Sequence, residues 1–237
     1  MTNGRLDTKN WIPNPSSTGV LKIDGPEVAN FEDQVKLFQA GEKDEVEFLR
    51  FRLRQGVYGQ RQPDRQMIRV KIPFGGLTAD QMDVLGVAAD KYAPLKKGHI
   101  TTRENVQYHH VPLGETTDLL RMLGDAGLST REACGNTVRN VVAAPSAGVS
   151  KDEVFDVTPY AAAYARYFLR HPTTQNMPRK SKTAFSGSEK DEAMVLMHDV
   201  GMVARIQNGT RGFKIVLGGG LSTSPMMAQT LREFVPV

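Results

Sequence analysis

Apolar residues in this chain recur with two different periods. From Met67 to Ile72 they alternate with Arg69 and Lys71, the period of a strand with one basic face. Pro73, Gly75 and Gly76 end that strand. Thr78-Ala79-Asp80-Gln81 has the form of a capping box, and Met82, Leu85 and Ala89 fill one face of a helix behind it. Residues 99–102 and 105–111 read as strands, and 116–123 as a helix ending near Gly124 and Gly127. Strand, helix, strands and helix in this order predict a small α+β sandwich of ferredoxin-like type. Upstream, Phe31, Val35 and Phe38 have helical spacing over 31–39, and Gly41 stops that helix. Residues 1–30, rich in Asn, Pro, Gly and Ser, read as an extended arm.

A second half starts near Thr130. The pattern predicts strands over 138–143, 183–186, 194–206 and 213–217, and an alanine-rich helix over 160–169 stopped by Pro172. Gly218-Gly219-Gly220 breaks the chain, and 225–234 reads as a final helix. The triple glycine fits neither a Walker loop nor the dinucleotide fingerprint.

Composition narrows the chemistry. The 237 residues are 40% hydrophobic and 24% charged, the balance of an ordinary soluble chain with enough length for real cores. No apolar run approaches the roughly 18 residues of a membrane helix, and no secretory signal opens the chain, so the expected address is the cytoplasm. The single cysteine, Cys134, excludes an internal disulfide and a four-cysteine metal or iron–sulfur site built from this chain alone. A net charge of +4 is compatible with nucleic acid, an acidic protein or an anionic small molecule.

Four cationic motifs carry the candidate chemistry. Arg69 and Lys71 share a strand face amid strongly apolar neighbours, where a plain solvated face is the alternative. Thr101-Thr102-Arg103 is followed by Gln107 and His109, which share a face of the next strand; they read either as a row of donors for carboxylates or, for His109 and His110, as core or surface histidines without a role. Gly135-Asn136-Thr137-Val138-Arg139-Asn140 is a turn entering a strand, which brings Arg139 out at a fixed place. Arg179-Lys180-Ser181-Lys182 is a cation run at a strand entry; its bland reading is a solvated patch.

In this order, with the loop Gly56-Val57-Tyr58-Gly59-Gln60-Arg61-Gln62 and with Gly212-Phe213 and Gly218-Gly219-Gly220-Leu221, the motifs resemble the siroheme-dependent nitrite and sulfite reductases. The resemblance implies an N-terminal arm and short helix over 1–47, a ferredoxin-like half-domain over 48–126, and a mixed α/β siroheme-binding domain over 127–237. It implies six-electron reduction of nitrite to ammonia or of sulfite to sulfide. Arg69, Arg139, Lys180 and Lys182 match the residues that contact the oxyanion on the haem iron. Arg103, with Thr101, Gln107 and His109, matches positions that hold the siroheme carboxylates, and Asn136 and Arg179 are neighbours of the macrocycle. Lys71, expected among the cofactor-binding residues, stands where a relative carries arginine, as does His99.

The chain also departs from that family. Members hold a [4Fe–4S] cluster on four cysteines in the C-terminal half, and Cys134 matches none of them. The expectation is therefore an N-terminal half, inactive alone, whose missing C-terminal half supplies the cluster ligands. The electron donor would be a ferredoxin or a flavoprotein, since no flavin or nicotinamide motif is present. Two other readings stand beside it. One is a half that pairs with a separate cluster-bearing subunit. The other is a non-catalytic basic module for RNA or an anionic ligand, which the 7% aromatic content and the polar strand faces argue against.

Overall fold

The computed structural model describes residues 25–237. Residues 1–24 of the expected arm lie outside the described residues. The remainder of that arm is helical: α1 runs Gly25–Gln39, beginning six residues before the expected start. The other helices are α2 (Glu45–Arg54), α3 (Ala79–Tyr92), α4 (Thr116–Asp125) and α5 (Thr158–Phe168). The strands are β1 (Val57–Gly59), β2 (Arg65–Lys71), β3 (His99–Ile100), β4 (Asn105–Pro112), β5 (Val138–Ala143), β6 (Ser181–Ser186), β7 (Val200–Gln207), β8 (Thr210–Leu217) and β9 (Gln229–Pro236). The described chain forms two compact units, 25–140 with Phe168–Ser181, and Val141–Tyr167 with Lys182–Val237.

The first unit is built on an antiparallel sheet ordered β1-β2-β4-β3. Ile68 pairs with Tyr108 and Val70 with Val106, and these four pack with Phe31 and Val35 of α1, Phe48 of α2, Leu85 and Ala88 of α3, and Leu119 and Leu123 of α4. Burying each large apolar side chain here is worth about 1.5–3 kcal/mol. Tyr108 keeps its hydroxyl satisfied by donating to the Leu85 carbonyl at 2.9 Å. The capping box forms as the sequence predicts: Thr78 Oγ1 accepts from the Gln81 amide, and Gln81 Oε1 from the Thr78 amide. The helix α2 is absent from the sequence reading, because apolar and charged residues nearly alternate in Val46–Leu53 and mask a 3.6-residue period. Its start is set by Asp44, whose carboxylate accepts from the Val46 and Glu47 amides at 2.9 and 3.0 Å.

The expected strand over 99–102 shortens to His99–Ile100. Thr101 and the left-handed Glu104 make a turn there, with Thr101 Oγ1 accepting from the Arg103 and Asn105 amides.

The second unit holds most of a five-stranded sheet ordered β5-β6-β7-β8-β9, with β6 and β7 parallel and the later pairs antiparallel. Its core joins Ala184, Val195, Val203 and Val216, with Phe155, Tyr160, Phe185 and Phe213 meeting edge to face. Two expectations are corrected here. The segment 194–206 is not one strand: Met194 turns left-handed (φ 52°), Val195–Met197 forms a short 3-10 turn, and β7 starts only at Val200. The segment 225–234 is not a helix. It ends in β9, which pairs with β8 through Phe213↔Val235 and Ile215↔Arg232, so pairing to a sheet edge overrides local helical preference.

Candidate anion and cofactor site

Strand register creates the basic face of the first unit. Arg69 of β2 lies opposite Gln107 of β4, and His109 follows two residues later on the same face. With the Gln107 amide set so that its oxygen faces Arg69, that oxygen accepts from Nε and Nη2, both at 2.9 Å. Arg69 Nη1 donates to the Ala133 carbonyl at 3.1 Å. Arg139, near the start of β5, donates Nη1 to the same carbonyl at 2.9 Å, and Nε and Nη2 to the Gly135 carbonyl at 2.9 and 2.8 Å. Two guanidiniums therefore meet on one backbone oxygen. Among the described residues neither has a carboxylate partner; the ion pairs nearby belong to Lys71, Arg131 and Arg170.

The charged side chains nearest this pair are cationic. Burial holds the Arg139 pKa below the ordinary arginine value; the charges of Arg69 and Arg179 push the same way, and Cys134 and Tyr58 oppose them. Burial also lowers His109, with His110, His99 and Arg69 adding to it. The His99 and His109 rings lie 6.2 Å apart, edge to face. Like charges held together without a counter-charge favour the arrival of an anion.

Two further motifs come up against this cluster. The Met177 amide donates to the Asn136 carbonyl at 2.9 Å and the Ser181 amide to the Thr137 carbonyl at 3.1 Å, so the segment carrying Arg179 and Lys180 runs along the Gly135–Arg139 turn. Asn136 Nδ2 reaches the Pro178 carbonyl at 3.5 Å. Arg103 donates Nη2 to the Asn140 carbonyl, one residue from Arg139. Asn140 Nδ2 in turn donates to the Ile72 and Arg103 carbonyls at 2.7 and 3.1 Å. Lys182 belongs to the second unit, where its amide donates to Asp199 Oδ2 at 2.7 Å.

Lys71 departs from its neighbours. It is 1% exposed, and its ammonium lies 3.6 Å from Glu132 and 3.4 Å from the Val138 carbonyl. Burial holds its pKa below the ordinary lysine value, although Glu132 opposes this. Sequence reasoning missed Glu132, Asn140 and the Ala133 carbonyl. A single acid before Ala133-Cys134-Gly135 gives no periodic signal, and a backbone oxygen gives none at all.

His109 supplies a test. Its Cε1–H titration by NMR should have a midpoint below a free histidine's, and a bound polycarboxylate should move that midpoint upward. Its depressed pKa also fixes a sign. The unfolded chain takes up the proton first as pH falls through the window below the ordinary value of 6.5, so this residue's contribution to stability is lost there and present above it. A midpoint at or above a free histidine's would refute the burial and cationic surroundings assigned to His109.

Comparisons with known proteins identify the family of the chain. Residues 58–126 match the nitrite/sulfite reductase ferredoxin-like half domain, and residues 134–237 match the nitrite and sulphite reductase 4Fe-4S domain. A sulfite reductase [ferredoxin] of Mycobacterium tuberculosis is 37% identical over 176 residues, covering 72% of this chain and 30% of the relative. A ferredoxin–nitrite reductase of Leptolyngbya laminosa is 29% identical over 160 residues, covering 66% of this chain and 31% of the relative. The chain thus spans about a third of the length of these curated relatives. The solved structure of the Mycobacterium tuberculosis NirA protein superposes with a TM-score of 0.76 at 29% identity, covering 89% of this chain and 44% of that one. The dissimilatory sulfite reductase DsrI shares the fold at a TM-score of 0.58 and 10% identity. The chain belongs to the nitrite and sulfite reductase family.

Proposed function

We propose that this chain forms the siroheme-facing and anion-facing part of an oxidoreductase that reduces nitrite to ammonia or sulfite to sulfide. The observation that carries the reading is the pair Arg69 and Arg139, joined on the Ala133 carbonyl with no carboxylate partner among the described residues. Each guanidinium has five N–H donors and uses three on the protein, which leaves two on each for an oxyanion.

The residues present fit siroheme, whose eight carboxylates require an unusually basic surface. Arg103, Gln107, His109, Asn136 and Arg179 would hold its periphery, with Thr101 shaping the Arg103 turn. When bound, siroheme supplies the redox chemistry. Arg69 and Arg139 would bind and orient the anion and stabilise charge developing on its oxygens. Lys180 and Lys182 keep the role the resemblance implies, contact with the oxyanion and proton delivery. Lys71 would act from behind the site, through Glu132 and the Val138 carbonyl.

A [4Fe–4S] cluster does not fit these residues. Cys134 is the one cysteine and is buried, and no group of three or more His, Cys, Asp or Glu among the described residues is arranged to hold a metal ion. Its ligands would have to come from outside these 237 residues, and electrons from a donor such as ferredoxin or a flavoprotein.

Uroporphyrin, a metal-free octacarboxylate, tests the reading. The purified chain should quench its fluorescence on binding, with an affinity that falls steeply with salt. Arg103→Gln and Arg179→Gln should each weaken this binding roughly 10- to 100-fold, the loss of one charge-assisted contact of roughly 1.5–3 kcal/mol, and Arg69→Gln and Arg139→Gln should each lower the chain's affinity for sulfite by a comparable factor. Tighter, equally salt-sensitive binding of single-stranded RNA would instead favour a nucleic-acid module.

A further inference from the structure

Glu132 is fully buried and sits in the left-handed region at φ 62°, a conformation that non-glycine residues seldom adopt. Something must hold it there, and its carboxylate is well placed to do so. Oε1 accepts from the Arg170 amide at 2.7 Å and from Gln175 Nε2 at 2.6 Å. Oε2 faces the Lys71 ammonium at 3.6 Å. The Glu132 amide donates to the Arg54 carbonyl at 2.6 Å, and its carbonyl accepts from Thr137 Oγ1 at 3.1 Å. The next peptide carries the Ala133 oxygen on which Arg69 and Arg139 converge. The Lys71 ammonium also reaches the Val138 carbonyl, immediately before Arg139.

A buried ion pair is a poor source of stability, since apolar replacements of similar volume are often neutral or stabilising. Here both ends of the pair are tied to the backbone that aims the two arginines. We propose that Glu132, held by Lys71, is a positioning residue that sets the Ala133 carbonyl and so fixes the Arg69–Arg139 pair in its anion-facing arrangement. Glu132 itself touches no ligand. The functional meaning rests on the reading of Arg69 and Arg139 as anion-binding; the positioning does not.

Two readouts separate these on the full 237-residue chain. The first is the Nη–H signals of Arg69 and Arg139 in a low-temperature 15N–1H spectrum, since Nη1 of each donates to the Ala133 carbonyl, at 3.1 and 2.9 Å, and should be slowed in rotation and exchange. The second is affinity for sulfite, a small oxyanion of the class the pair would hold. Lys71→Met with Glu132→Leu removes the charges together and should fold, yet the slowed Nη–H signals should be lost and sulfite affinity should fall about tenfold, the effect of removing a supporting partner behind a ligand site. Lys71→Met with Glu132→Gln keeps an acceptor for the Arg170 amide and should restore both. Should the apolar pair not fold, Glu132→Asp keeps the charge but draws the acceptor back by one methylene, and should broaden the same signals. Retained Nη–H signals and unchanged affinity in the folded apolar pair, or in Glu132→Asp, would overturn the proposal. If the wild-type chain fails to bind sulfite, the functional reading of the pair fails and the Nη–H signals alone decide the positioning.

Discussion

Lys71→Met alone should destabilise the first unit by roughly 3 kcal/mol, the low end for breaking a buried pair, because it leaves the buried Glu132 carboxylate only the more distant Arg131, whose Nε lies 3.9 Å away, as counter-charge. Lys71 and Glu132 are 1% and 0% exposed, so solvent screens little of this loss. Urea unfolding followed by far-UV circular dichroism would measure it. The double replacement Lys71→Met with Glu132→Leu should recover most of the stability, since the desolvation of both charges disappears together. A single variant within about 1 kcal/mol of wild type would mean that water reaches Glu132 and that the pair is not dry.

Gly56→Ala should have an effect of comparable size. Gly56 has φ +78°, and a Cβ built on it would sit 2.1 Å from the Thr130 carbonyl oxygen and 2.9 Å from its carbon. Those atoms are backbone, so no rotamer change relieves the clash. The left-handed conformation costs alanine about 1–2 kcal/mol by itself, and displacing the Thr130 segment should bring the loss to on the order of 3 kcal/mol. The Gly56 carbonyl also accepts from the Arg69 amide at 3.0 Å, so the strain reaches β2 at Arg69 itself. Sulfite affinity should fall with stability. If stability dropped and affinity did not, the loop carrying Ala133 would have to be insulated from Gly56.

Much of the first unit was legible because β2 and β4 carry apolar and polar residues in near alternation and its α3 helix announces itself with a capping box. Period two is enough to put Gln107 and His109 on one face; that Arg69 lies opposite Gln107 is set by strand register, which the period does not give. Lys71 shows the limit of the argument. Alternation correctly puts it on the Arg69 face but says nothing about what covers that face, and here the buried Glu132 lies against it. β9 was misread because Pro225 and the residues after it resemble a helix start, while nothing local to it shows that it pairs back onto β8 across the Gly218-Gly219-Gly220 break. The meeting of Arg69 with Arg139 brings together residues 70 positions apart on a main-chain oxygen, which no pattern of side chains encodes.

That shared oxygen has a consequence for affinity. A free arginine side chain carries about 2 kcal/mol of rotamer entropy, which an anion would ordinarily have to overcome on arrival. In this fold Arg69 and Arg139 are each held by three donated hydrogen bonds before any ligand comes. The ordering of both side chains is therefore charged to folding, and what remains for the anion is a rigid, pre-organised seat.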